Sequence, residues 1–156
     1  MKIFYFATLL ISLAACSGNK QLQQQPIEIG EAIKSGRFTF HADMAYPSAM
    51  RPRTINPPGT LSQRNDTLEV ALPYFGRAQT VMQNEPGGID FSTREFTRSV
   101  AKNEAGNWVV SYVIRNESSA EEIILTIYDN RSATVHVSSL RRDRIQFRGY
   151  VQALLR

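Results

Sequence analysis

The side chains that could carry chemistry are few in this chain of 156 residues. It has two histidines, His41 and His136, and one cysteine, Cys16. The segment His41-Ala42-Asp43 would place an imidazole and a carboxylate on the same face of one strand, since side chains in a strand alternate between faces. Such a pair can contribute to a metal site, but two solvated side chains are the other interpretation. We therefore predict no metal site and no cofactor.

Recognisable catalytic motifs are absent from the sequence. It contains no nucleophile elbow, no phosphate-binding glycine loop that opens a helix, and no His-Glu zinc motif. Glu121 and Glu122 are adjacent, so in a strand their carboxylates point to opposite faces and cannot share a substrate atom. We predict no catalytic residue. A small envelope hydrolase or isomerase, with a site assembled from dispersed residues, is the alternative.

Arginine supplies 14 of the 18 basic residues, and the formal net charge is +4. In the segment "RRDRIQFRGY", Arg142, Arg144 and Arg148 occupy alternate positions and are predicted to share one outward face. Guanidinium groups bind phosphates and carboxylates in a bidentate manner. The predicted partners are anionic lipid, lipopolysaccharide, an acidic glycan or an envelope protein; an ordinary solvated strand face is the alternative.

The segment "LPYFGRA" interrupts the strand pattern and holds three further candidate binding residues, Tyr74, Phe75 and Arg77. Pro73 lacks a backbone donor and is predicted to end a strand. Gly76 then allows a sharp turn. We interpret the segment as a structural corner in which one aromatic side chain covers the core. An exposed cluster of aromatic and arginine side chains, as in a binding hot spot, is the alternative.

The N-terminus predicts export and lipidation. Lys2 is followed by an apolar run too short for the approximately 20 residues that span a bilayer, as in a secretory signal. "LAAC", residues 13–16, resembles the bacterial lipobox. That resemblance implies a lipid on the sulfur of Cys16 and cleavage before it. Because export removes the chain from the cytoplasm, we predict no nucleic-acid partner.

Three segments follow from this interpretation. Residues 1–15 are the predicted lipoprotein signal peptide, residues 16–26 are the lipidated Cys16 with a polar, glutamine-rich tether, and residues 27–156 are a single β-rich domain. Ser17 stands where an aspartate would indicate retention at the inner membrane, by analogy with enteric lipoproteins. The predicted location is the cell envelope, with the chain anchored to the outer membrane on its periplasmic or surface-facing side.

The elements that would position these side chains are mostly strands. A short helix is predicted between Pro26 and Gly36, which can end it. From Arg37 the apolar residues recur with a period of two, which is typical of half-buried strands. The fold class predicted is all-β, an antiparallel β-sandwich or partly open barrel of about eight strands with one short N-terminal helix. Six strong strand patterns occur, in "RFTFHADM", "TLEVAL", "NWVVSYVIR", "EEIILTIY", "SATVHVS" and "IQFRGYV", and weaker ones lie near residues 49–55 and 94–101.

The lipobox, "LPYFGRA", "GGIDF" at residues 87–91 and "LRRDRIQFRG" at residues 140–149 together resemble a family of small bacterial lipoproteins. It is catalogued as domain of unknown function forty-two fifty-one. The resemblance covers Ile33 to Val151. It implies the fold and the envelope location and implies no activity. The function predicted is an outer-membrane-anchored lipoprotein that acts as a non-enzymatic binding or scaffolding module.

Overall fold

A computed structural model describes residues 28–75, 87–117 and 119–154. Cys16, the predicted tether and Arg77 lie outside the described residues. Within the described ranges no helix is long and apolar enough to span a bilayer.

One antiparallel sheet of nine strands contains nearly all of the described secondary structure. Its strand order is β4-β3-β2-β1-β9-β8-β7-β6-β5. The elements are α1 (Ile29–Ser35), β1 (Arg37–Pro47), β2 (Arg53–Arg64), β3 (Thr67–Pro73), β4 (Gly88–Thr93), β5 (Phe96–Lys102), β6 (Trp108–Ile114), β7 (Glu122–Ile127), β8 (Ser132–Ser138) and β9 (Ile145–Ala153). The predicted all-β class with one short N-terminal helix is confirmed. The sheet is a curled half-barrel, so the open barrel rather than the sandwich is the correct alternative.

The two edges of the sheet are consecutive in the chain. β4 and β5 occupy opposite ends of the strand order, yet only Arg94 and Glu95 connect them. Three Cα–Cα steps span at most about 11 Å, so the end of β4 lies close to the start of β5. The backbone N–H of Arg115 also donates to the carbonyl of Glu95. The sheet therefore curls until its edges approach each other at this connection.

The inner face of the curl carries the hydrophobic core. Its largest fully buried side chains include Tyr112, Phe38, Phe40 and Phe147. Buried residues occupy alternate positions along most strands, and burial of this apolar face stabilises the curl. The helix α1 contributes the buried Ile33 to the same core. Polar side chains consequently fall on the outer face, where His41 is half-buried and His136 is exposed.

Arg98 of β5 attaches α1 to the sheet. The helix ends at Gly36, which adopts a left-handed φ of 65°, as predicted from the sequence. The guanidinium of Arg98 donates to the backbone carbonyls of Ile33 and Lys34 in the last turn. These carbonyls have few partners within a helix, and a cation also suits the negative end of the helix dipole. One arginine therefore fixes α1 against an edge strand.

The position of β2 corrects a weak prediction from the sequence. The expected strand near residues 49–55 begins only at Arg53 and extends to Arg64 through Pro57 and Pro58. Between Gly59, which pairs with Ala42, and Thr54, which pairs with Met44, four residues of β2 have no Cα partner in β1. The prolines lie in that bulge, where no ladder donor is needed. The sequence also did not predict β4, Gly88–Thr93.

Gly149 in β9 allows a close backbone approach beside the same bulge. A Cβ atom at this position would lie 1.8 Å from the backbone oxygen of His41. Gly149 pairs with Ala42 in β1 and with Ala133 in β8. Three small residues thus follow one another across adjacent strands, and only glycine fits the middle position.

Candidate binding surfaces

Tyr74 and Arg142, two of the candidate residues from the sequence, meet at one end of the sheet. The Tyr74 hydroxyl donates to the backbone carbonyl of Asp143 at 3.2 Å. Arg142 donates to the carbonyl of Gly88 at 2.8 Å, and its guanidinium carbon lies 5.1 Å from the centre of the Tyr74 ring. The connection between β8 and β9 therefore folds over the ends of β3 and β4.

Phe75 has an equivalent partner at the start of β2. The guanidinium carbon of Arg53 lies 5.4 Å from the centre of the Phe75 ring. Tyr74 and Phe75 are both half-buried and pack against the core. Burial also raises the pKa of Tyr74. These contacts support the structural-corner interpretation for both aromatic residues, while Arg77 lies outside the described residues.

The two connections expose basic and apolar side chains side by side. Residues 48–52 and 139–144 leave the sheet at the same end, because Pro47 pairs with Ile145 and Ala45 with Arg53. Leu140 is 79% exposed and Met50 is 42% exposed, both large values for apolar side chains. We call the following residues the loop-end surface: Met50, Arg51, Arg53, Leu140, Arg141 and Arg144.

Charge on the loop-end surface is not neutralised by its nearest neighbours. Arg51, Arg141 and Arg144 are exposed, and their guanidinium groups have no hydrogen bond or ion pair with any other described residue. Residues 48–53 contain no carboxylate, and residues 139–144 contain only Asp143. A basic surface therefore exists at this end, but it shares only Arg144 with the row of arginines predicted from the sequence.

The predicted row of Arg142, Arg144 and Arg148 is not a single face. β9 begins only at Ile145, so the alternation that was extended back to Arg142 stops there. Arg142 turns towards Gly88, whereas Arg148 lies on the outer face, where its Nη1 donates to the Tyr46 hydroxyl at 3.4 Å. Arg144 is exposed between them. A backbone that leaves the strand conformation no longer alternates its side chains, and this separates the three arginines.

Arg148 belongs instead to a groove on the outer face, which crosses β1, β9 and β8. The groove has a volume of about 930 Å³. We call it the outer-face groove. It is lined by Asp43, Met44, Tyr46, Asn107, Tyr128, Asp129, Asn130, Ser132, Ala133, Thr134, Gln146, Arg148 and Gly149.

His41 and Asp43 have different surroundings in the structure. The His41 ring stacks on Tyr150, with ring centres 5.0 Å apart and planes inclined by 22°. Asp43 lies at the β1 bulge and lines the groove, which His41 does not. Among the described residues, no group of three or more histidine, cysteine or carboxylate side chains is arranged to hold a metal ion.

Sequence reasoning missed the groove and the apolar tip of the loop-end surface. The groove draws on turns and strands that are far apart in the chain, and no local pattern connects them. Leu140 did carry a signal, since an isolated leucine next to "RRDR" is apolar without belonging to a strand period. An apolar residue among cations is a pattern that membrane-contacting segments use.

A single curled antiparallel sheet around a filled core defines an all-β domain of the half-barrel type. The chain belongs to the family described as Domain of unknown function (DUF4251), whose model matches residues 20–151. The family resemblance expected from the sequence is therefore confirmed. Lipidation of Cys16 stays a prediction.

One solved structure is similar over most of its length. It is the crystal structure of a DUF4251 family protein from Bacteroides eggerthii DSM 20697, with a TM-score of 0.55 and 16% sequence identity. The match covers 80% of this chain and 84% of that chain. At this identity the similarity shows the fold alone. A comparison with curated proteins found no match.

Proposed function

We propose that this protein is a non-enzymatic binding module of the bacterial cell envelope, anchored to the outer membrane through lipid on Cys16. In this proposal the loop-end surface contacts the anionic head groups of the membrane. The observation that carries the proposal is Leu140, 79% exposed and followed directly in the chain by the exposed Arg141. Apolar side chains that enter the interface, next to arginines that meet phosphates, are the two components of peripheral membrane binding.

The arrangement favours a binding module over an enzyme. A deep cavity lined by His41, Asp43 or Tyr74 would support a catalytic or small-ligand site. Instead, the inner face is filled by the core, and Tyr74 is used in packing. Of these three residues only Asp43 lines the groove. Exposed basic side chains, Arg51, Arg141 and Arg144, lie on two connections at one end of the sheet, which suits contact with an extended surface.

Vesicle binding by the mature chain from residue 16, with Cys16→Ser to remove the acyl group, tests the membrane contact. This chain keeps the whole core, which lies between Ile33 and Val151. We expect co-sedimentation with phosphatidylglycerol-containing vesicles, little with pure phosphatidylcholine, and release as salt rises. The triple variant Arg51→Gln, Arg141→Gln, Arg144→Gln should lose about 3 kcal/mol of binding free energy, roughly 1 kcal/mol per arginine near the surface.

A matched control removes the same charge elsewhere. Arg64, Arg94 and Arg131 are exposed and lie outside the loop-end surface, so their replacement by Gln should leave most of the binding in place. Leu140→Ser should weaken binding without changing its salt dependence. Equal losses in both triple variants would show that only net charge matters. Absence of binding to anionic vesicles at low salt would refute the membrane contact, and capture of an envelope protein or acidic glycan by this surface would replace it.

A further inference from the structure

The outer-face groove is independent of the loop-end surface and carries a different set of side chains. Its volume of about 930 Å³ is within the range of about 300–1,000 Å³ that ligand pockets occupy. Thr134 of β8 pairs with Arg148 of β9, which pairs with Met44 of β1, so the groove lies over the centre of the sheet. Ala133 and Gly149 leave space among the longer side chains.

Polar groups in the groove are available to a ligand. The side chains of Asp43, Asp129, Thr134 and Gln146 make no hydrogen bond or ion pair with other described residues. Arg148 makes one hydrogen bond, to the Tyr46 hydroxyl at 3.4 Å, and its charge also interacts with Asp43 and Tyr128. Carboxylates accept, guanidinium donates, and amides and hydroxyls do both. The groove thus offers donors and acceptors close together, as a ligand rich in hydroxyl groups requires.

The charge of the groove argues against an anionic ligand. Its lining holds two carboxylates, Asp43 and Asp129, and one guanidinium, Arg148. A phosphate or an acidic glycan would meet two like charges against one opposite charge. Neutral hydroxyl groups, by contrast, donate charge-assisted hydrogen bonds to carboxylates, and these are stronger than bonds between neutral groups.

Two tyrosine rings complete the lining. Arg148 lies over the Tyr46 ring, with its guanidinium carbon 5.9 Å from the ring centre, so that face is occupied. Tyr128 is 38% exposed, and its side chain makes no hydrogen bond with other described residues. A tyrosine ring offers an apolar face next to a polar hydroxyl. The C–H faces of a sugar ring, with hydroxyl groups around their rim, have the matching distribution.

A peptide is a poorer occupant of this groove. Peptide recognition on a sheet commonly adds a strand to a free edge. β1, β9 and β8 are central strands with a hydrogen-bonded neighbour on each side, so their backbone groups are already paired. We propose that the outer-face groove binds an uncharged oligosaccharide, with Tyr128 stacking on a sugar ring and Asp43, Asp129 and Gln146 receiving or donating hydrogen bonds.

A glycan array that carries uncharged and acidic oligosaccharides, probed with the mature Cys16→Ser chain, tests this inference. Binding should concentrate on uncharged glycans and change little with ionic strength, unlike vesicle binding. For the strongest glycan, calorimetry should give an affinity about tenfold lower for Tyr128→Ala. Asp43→Asn, which keeps the shape of the side chain, should lower the affinity by about tenfold or more.

Tyr150→Ala supplies the matched control, because Tyr150 lies on the same outer face but stacks on His41 and does not line the groove. Its glycan affinity should stay within about twofold of the parent. Binding to acidic glycans alone, binding unchanged by Tyr128→Ala and Asp43→Asn, or no binding on the array would each overturn the assignment. None of these results bears on the arginines tested with vesicles, so the two proposals fail separately.

Discussion

The hydroxyl of Tyr112 in β6 donates a 2.7 Å hydrogen bond to the side-chain oxygen of Gln63 in β2. Four strands separate β2 from β6 in the sheet order, so this bond crosses the interior of the curl rather than following it. The Gln63 amide in turn donates to the backbone carbonyl of Asn65 at 3.0 Å. Both side chains are buried, so the connection links distant parts of the sheet where water cannot replace it.

Burial of Tyr112 predicts a loss of stability in alkali. Burial raises the pKa of Tyr112 above its usual value of 10.0, against a smaller opposing effect of Arg98. The folded state therefore keeps the proton where the unfolded chain releases it, so the contribution is complete below pH 10 and is lost as pH rises above it. Urea unfolding between pH 8 and pH 11 should show this decline.

The Tyr112→Phe variant separates two effects of the hydroxyl: its hydrogen bond to Gln63 at neutral pH and its ionisation in alkali. At neutral pH it should lower the free energy of unfolding by about 1–3 kcal/mol, because Gln63 loses a buried partner. Above pH 10 the free energy of unfolding of the variant should fall less steeply than that of the parent. The same decline in parent and variant would assign the alkaline sensitivity to other groups.

Loss of Arg98 should loosen α1 selectively. Arg98→Met removes the donor to the carbonyls of Ile33 and Lys34, and the free energy of unfolding should fall by about 1–3 kcal/mol. Hydrogen exchange of α1 should accelerate more than that of β7. Arg94→Gln is the control, since its 3.9 Å ion pair with Asp66 is exposed and contributes about 0–1 kcal/mol. Unchanged exchange in α1 would contradict the anchoring role of Arg98.

Substitution of Gly149 should disturb the bulge between β1 and β9. A methyl group would collide with the backbone oxygen of His41, so Gly149→Ala should destabilise the domain by about 1–3 kcal/mol or more. Gly87→Ala is a suitable comparison, because a Cβ atom there meets nothing within 4 Å. Thermal unfolding of both variants checks this. Equal melting temperatures would show that the strands separate at little cost.

The corner residues should contribute to stability in proportion to their partial burial. Phe75→Ala is expected to cost about 1–3 kcal/mol, below the range of about 3–5 kcal/mol for a fully buried phenylalanine. Tyr74→Phe, which removes the hydroxyl that donates to the Asp143 carbonyl, should cost about 1 kcal/mol. Tyr128→Ala serves as an exposed control in the same denaturation series. If Phe75→Ala and Tyr74→Phe both unfold like the parent, the segment is a binding site rather than a corner.

Lipidation of Cys16 is tested by Cys16→Ala in the full-length chain. We expect an unprocessed precursor and no acyl mass, because the thiol is the group that captures the lipid. Mass spectrometry of membrane extracts measures both. Ser17→Ala, which leaves the thiol in place, should be processed normally. Normal cleavage of Cys16→Ala with extraction from membranes would disprove the lipoprotein assignment.

Strand and helix positions were predictable where the local pattern was regular. Each of the six strong period-two patterns coincides with a strand, with at most one residue beyond it at either end, and Gly36 ends α1 as predicted. The full extent of β2 was not predicted, because Pro57 and Pro58 argue against a strand unless the partner strand tolerates a bulge. That tolerance depends on Ala42 and Met44 in β1, and nothing near the prolines encodes it.

For the candidate binding residues, too, some features were predictable from the sequence and others were not. Tyr74, Phe75 and the arginines were singled out by residue type, and the structure brings Tyr74 and Arg142 together across 68 positions of the chain. Arg142 and Arg148 were expected to share a face but are separated, because the chain enters β9 only at Ile145. Residue types identified the candidate side chains, but the conformation of the backbone determined which of them are in contact.

The sequence by itself determined the all-β class and the inner and outer faces of most strands, because both follow from the alternation of neighbouring residues. Lipid attachment at Cys16 stays a prediction from a short motif. Tertiary structure decided that the sheet curls rather than packing as a sandwich, that Tyr112 meets Gln63, and that a polar groove forms over β1, β9 and β8. These features depend on pairing between distant strands and on the twist that accumulates across nine of them. Such relationships exist only once the whole sheet has formed.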